Sequence, residues 1–176
     1  MTLRANEQFL LFNLNPGAYG SDQVLTAAHA IAVYDVGYSQ EFTKEQLKEA
    51  LGFPGSPFEK VTGGLQQVSF KCYVRGSSDG EVDTPVPYAN LLRAAGHSET
   101  ISPTGVTYAP VTDAFEHGSL WYYVGGNRGV LHKMIGVRLS AKFVSKIGAL
   151  DYWEFTAMGL DVDPVPIDGT SPAVDW

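Results

Sequence analysis

Gly76-Ser77-Ser78-Asp79-Gly80 has the Gly-x-Ser-x-Gly spacing of a serine nucleophile, and Asp113 with His117 or His132 follows in hydrolase order. That chemistry needs a helix starting at the serine, whose first backbone N–H groups help to hold the oxyanion. Glu81 to Pro87 is instead acidic and broken by proline, so the stretch predicts a turn leading from a strand into a loop. His97 and Glu99 form an H-x-E pair, but a zinc deaminase also needs two cysteines, and Cys72 stands alone. The remaining histidines, at 29, 117 and 132, are scattered and read as satisfied or exposed side chains rather than ligands. Asp79, Glu81 and Asp83 lack the fixed glycine and terminal Glu of a calcium loop and predict a solvated acidic loop. Gly125 to Gly129 is glycine-rich, but no Gly-Lys-Ser/Thr ending and no helix follow to cradle a phosphate. The residues thus predict no catalytic group, no cofactor and no metal site, and the chain is not expected to be an enzyme.

The elements that carry these residues are mostly strands. A turn-rich stretch from Asn15 to Asp22 predicts that residues 1–22 form an N-terminal arm lying on a surface. Ala28 to Tyr38 predicts a strand, and Thr43 with Gln46 fits either a capping box opening a short helix over Lys44 to Leu51, stopped by Gly52 and Pro54, or an irregular loop. From Leu65 to Arg75, Val68, Phe70, Cys72 and Val74 alternate with polar residues and Tyr73, the period of a half-buried strand. Pro87 and Gly96 bracket a short helix over Tyr88 to Ala95. Val106 to Thr112 is a further strand, and Ser119 to Val137 is a hairpin turning at Gly125 to Gly129. A last hairpin pairs Val137 to Ser145 with Asp151 to Gly159 around Gly148. That register sets Leu139, Ala141 and Phe143 against Ala157, Phe155 and Trp153 on an apolar face, and Ser140 and Lys142 against Thr156 and Glu154 on the other. The fold class is therefore mainly β, an antiparallel sandwich or barrel with one short α-helix.

A chain of 176 residues with 44% hydrophobic and 18% charged residues suits one folded domain, 1–176. Its net charge of −7 argues against a grip on nucleic-acid phosphates. The charge is uneven. Arg128 to Lys146 holds five basic residues and no acid, and Gly148 to Trp176 six acids and no base. The apolar run Phe9 to Phe12 is too short for a membrane span or a signal-peptide core, so no membrane partner is expected.

In order along the chain, Tyr19-Gly20-Ser21-Asp22, Ala30-Ile31-Ala32-Val33, Val68-Ser69-Phe70 and Tyr88-Ala89-Asn90-Leu91-Leu92-Arg93-Ala94-Ala95-Gly96-His97-Ser98-Glu99-Thr100 resemble segments of a phage tail tube protein. Val106 to Val111, Leu120-Trp121-Tyr122-Tyr123, Leu131-His132-Lys133-Met134 and Glu154-Phe155-Thr156 to Leu160 continue the likeness. The whole is most similar to the major tail tube proteins of long, non-contractile (siphovirus-like) bacteriophage tails, although Gly125 to Gly129 replaces the tight turn more familiar there. The resemblance implies a virion structural protein, made and assembled in the bacterial host cytoplasm, whose hexameric rings stack into a tube. Its implied partners are itself, a tape measure protein and tail terminator and tip proteins, with DNA passing through the lumen without tight binding. Another ring protein of a phage tail or injection machine shares that architecture. A monomeric β-sandwich binding or hydrolase domain is the alternative from another class. Because Trp121, Tyr122 and Tyr123 are consecutive and straddle both faces of a strand, their hairpin is expected to project and to meet a neighbouring subunit through Trp121, Tyr122, Tyr123, Asn127, Arg128, Leu131 and Lys133. Arg138, Ser140, Lys142, Glu154 and Thr156 are the expected polar face toward the lumen, and residues 161–176 a C-terminal extension.

Overall fold

The computed structural model describes residues 8–46, 59–77, 79–125 and 129–167. Alternating and doubly apolar runs put most of them into nine strands: β1 (Gln8–Leu14), β2 (Ala30–Ile31), β3 (Tyr34–Gln46), β4 (Glu59–Tyr73), β5 (His97–Ser102), β6 (Gly105–Pro110), β7 (Gly118–Val124), β8 (Val130–Val144) and β9 (Tyr152–Pro166). One α-helix, α1 (Ala89–Ala94), lies between β4 and β5. Seven strands form a single antiparallel sheet in the order β2-β1-β7-β8-β9-β4-β3, and β5 and β6 make a separate hairpin. The sheet's two edge strands, β2 and β3, are separated in sequence only by Ala32 and Val33. With about 3.5 Å of reach per residue the edges must therefore lie close together, so the sheet is curled into a half-barrel.

The curl encloses the main core. Leu10 and Phe12 of β1, Val68, Phe70 and Cys72 of β4, Leu120 and Tyr122 of β7, Met134, Val137 and Leu139 of β8, and Phe155 and Ala157 of β9 all point into it. Helix α1 plugs it with Leu91, Leu92 and Ala94. The chain is free to be helical after Pro87 and stops at Gly96, whose φ of +87° an L side chain rarely adopts. Arg93, on the helix's outer side, donates to both carboxylate oxygens of Glu116, and Glu99 lies nearby at 3.8 Å.

The last hairpin keeps the expected register: Leu139 opposes Ala157, Ala141 opposes Phe155, Lys142 opposes Glu154 and Phe143 opposes Trp153. Strand β8 serves both hairpins without interruption, and it shifts phase at a bulge between Ile135 and Arg138 where Gly136 takes a φ of +61°. Four expectations are corrected. Within the supposed arm, Gln8–Leu14 is an interior strand of the sheet, paired to β7 over seven residues and to β2 on its other side. Thr43 to Gln46 continues β3, each paired across to β4, so no helix begins at Lys44; residues 47–51 lie outside the described residues. The supposed C-terminal extension begins as strand, since β9 runs on to Pro166; residues 1–7 and 168–176 lie outside the described residues. The strand expected over Ala28 to Tyr38 is split into a 3-10 turn, β2 and the start of β3.

Candidate functional site

The face of the sheet turned away from the main core divides into a covered half and an open half. Over β1, β7 and the first part of β8, Leu11, Trp121, Tyr123 and Leu131 form a second buried cluster, closed by Leu25 and flanked by Phe9, Ala30 and Ile167. The exposed aromatic surface expected of Trp121 to Tyr123 is not found. Trp121, Tyr122 and Tyr123 are 8%, 5% and 4% exposed, because Tyr122 enters the main core while the residues on either side of it enter the second cluster. They offer no aromatic surface to a neighbour. Leu131 is buried with them, and the Lys133 ammonium sits 4.4 Å from the Trp121 ring centroid and 3.7 Å from Asp22. Asn127 and Arg128 lie outside the described residues.

Over the second part of β8 and over β9, β4 and β3 the same side is open. All five residues expected on the polar face stand here together. Arg138 opposes Met158, which opposes Gln67 and then Ser39. In the next row Ser140 meets Thr156, Ser69 and Gly37, and in the third Lys142 meets Glu154 and Lys71. The Lys142 ammonium is 3.1 Å from the Glu154 carboxylate, and Lys71 pairs with Asp35, whose φ of +55° marks the β3 bulge. A groove of about 320 Å³ follows that bulge between Asp35, Ser69, Lys71, Glu154 and Thr156. Sequence reasoning missed Asp35, Ser39, Gln67, Ser69 and Lys71, although alternation along β4 places its polar residues on one side and is the signal that finds them. Over the rows from Lys142–Glu154–Lys71 to Glu41–Leu65, the described residues of the face are three bases (Lys71, Arg138, Lys142) and three acids (Asp35, Glu41, Glu154).

The residues weighed for chemistry are spent on structure. His97 Nδ1 lies 3.1 Å from the Leu92 carbonyl at the end of α1, and Glu99 accepts from the Tyr108 hydroxyl. Burial and then that carboxylate push the Tyr108 phenol up to about 12. Ser78 lies outside the described residues; beyond it Asp79 accepts from the Glu81 N–H and the Thr84 hydroxyl, which hold its carboxyl below the usual range. His132 lies against Tyr38 with ring centroids 4.4 Å apart. Burial lowers its pKa more than nearby Asp161 raises it. Asp161 in turn accepts from Gln40 and from the fully buried Gln66, so the core ends in a polar cluster where β4 and β9 part. Among the described residues no group of three His, Cys, Asp or Glu side chains is placed to hold a metal ion.

Neither a family model nor a curated protein matches the sequence. Solved structures do match. A chain from the tail of an empty GTA particle, a helical assembly of C6 symmetry, superposes with a TM-score of 0.51 at 10% identity over 89% of this chain and 94% of its own. A chain from the six-fold symmetrised baseplate of the anti-feeding prophage gives 0.50 at 9% identity over 91% and 93%. The chain has a tail-tube-like fold. At such identities the likeness is one of architecture, and it extends over nearly the whole of both chains.

Proposed function

We propose that the chain is a structural subunit that assembles with copies of itself into a tube, with the open face of β3, β4, β9 and β8 turned to the bore. The observation that carries this reading is a tail-tube-like fold in which, among the described residues, the open sheet face from the Glu41–Leu65 row to the Lys142–Glu154–Lys71 row carries balanced charge. In this reading six copies close a ring, rings stack, and duplex DNA passes through on its way into a host, as in a siphovirus-like phage tail. A wall with equal numbers of bases and acids, two pairs of them already joined, releases few counterions to a phosphate backbone and so does not hold it. Three of the basic residues between Arg128 and Lys146 are used at home: Lys133 with Asp22 and Trp121, Arg138 near the Tyr19 and Phe115 rings, Lys142 with Glu154. Tape measure, terminator and tip proteins complete the proposed set of partners, and the virion is its place of action.

Negative-stain microscopy of the purified protein tests the assembly. Rings about a six-fold axis or tubes support the reading. A chain that remains a monomer at high concentration by size-exclusion chromatography with light scattering overturns it in favour of a monomeric β-sandwich binding or hydrolase domain.

A further inference from the structure

The turn between β8 and β9 breaks the rule that hairpin tips are polar. Ala149 N–H donates to the Lys146 carbonyl at 3.1 Å, and Gly148 has a φ of +82°, the positive value that the third residue of such a turn requires. The closed turn holds Ile147 out in solvent, fully exposed, with Leu150 73% exposed behind it. Phe143, Tyr73 and Val74 are each about half exposed at the same end, and the Val74 N–H binds the Asp151 carbonyl. Nothing in the fold needs Ile147 and Leu150 to be apolar. At the other end of these strands the sheet forks. Strands β4 and β9 pair as far as Leu65 and Leu160 and no farther, while β4 continues with β3 to Glu59 and β9 continues with β8 to Pro166. Among the described residues, the edges of β4 and β9 that face each other beyond this point have no strand partner. The base of the fork is apolar on the open face, with Leu65 and Met158 about half exposed and Leu160 39% exposed.

We propose that the β8–β9 turn, led by Ile147 and Leu150, is the plug of a head-to-tail contact and seats in the β4–β9 fork of a second copy. Plug and socket sit at opposite ends of the same strands, so each copy uses both once and the contact repeats without being exhausted, as a growing tube needs. Exposed Lys146 on the plug meets exposed Glu41 beside Leu65 in the socket, and the fork's free strand edges are templates for pairing with another chain. The inference rests on the reading of the chain as a tube subunit. Its test compares the wild type with the Ile147→Asp/Leu150→Asp variant by negative stain and thermal melting. Both positions are solvent-exposed, so the variant keeps the wild-type Tm, and it stops at single rings where the wild type forms tubes. A second measurement mixes Ile147→Cys chains with Leu65→Cys chains and adds a short bis-maleimide; a covalent dimer forms in the assembled mixture and not below the assembly concentration. Tubes of wild-type length from the Asp variant, or assembled tubes without the cross-link, overturn the plug while leaving the tube reading in place. A wild type that never assembles removes both.

Discussion

Cys72 shows how the curled sheet controls a single side chain. Its thiol is 2% exposed, its sulfur is 3.4 Å from the Ala32 carbonyl at the seam between the two sheet edges, and burial pushes its pKa up to about 12. In the unfolded chain the same thiol ionises near ~8.5. The folded pKa is the higher, so the associated stability is complete below the unfolded value of ~8.5 and is lost as pH rises from there to about 12. Native protein at pH 8.5 is therefore expected to resist iodoacetamide for hours and to react within minutes in guanidinium, and Cys72→Ala should flatten the alkaline part of the stability profile. Ready alkylation of the native protein would show the seam to be open. His132 works in the opposite direction. Its folded pKa lies below the ordinary value of about 6.5, so proton uptake favours the unfolded chain and stability falls as pH drops below that value. The urea midpoint should drop between pH 7.5 and 5, and less so in His132→Phe.

The β8–β9 hairpin shows which elements a sequence makes legible. One face is apolar, the other polar, and a glycine sits at the turn, so a slip of one residue would reverse both faces and only one register survives. Its energetics follow from burial. Trp153 packs on Phe143 and Phe155 at 5.1 and 6.2 Å, and Trp153→Ala should cost about 3 kcal/mol in urea unfolding. Lys142 is 73% exposed, and Glu154→Ala should cost no more than ~1 kcal/mol; the reverse ranking would mean that the hairpin is held by charge. Helix α1 was legible too, because proline and glycine bracket it. Strand β1 was not. Leu10 and Phe12 face the main core and Leu11 the second cluster, so the run Phe9 to Phe12 has no alternation and looks like a short apolar piece of an arm. The same double burial hid the fate of Trp121 to Tyr123, whose cover comes from Leu25, almost a hundred residues away. At Thr43 to Gln46 a local capping signal was overridden by pairing with β4, which supplies a backbone partner for every residue.

At the scale of the whole molecule the argument turns on where charge is placed and not on its sum. The chain carries a net −7, yet the described rows of the open face are balanced, with Lys71–Asp35 and Lys142–Glu154 closed as pairs and Arg138 5.8 Å from the centroids of the Tyr19 and Phe115 rings. If that face lines the bore, the affinity of the tube for duplex DNA should be low even at low salt, since affinity of this kind comes from counterions released by clustered cations. Reversing Glu154 to lysine leaves the core and the proposed head-to-tail contact untouched, because the side chain lies on the open face away from the fork, and moves the face by two charges. It also strands Lys142 beside a like charge, a cost limited by solvent at this exposed position. The expected outcome is that wild-type assemblies do not retard a duplex in low-salt gels, whereas Glu154→Lys assemblies do, with an affinity that falls linearly on a log–log plot against salt. Tight binding by the wild type, or an unchanged variant, would place the DNA path somewhere other than this face.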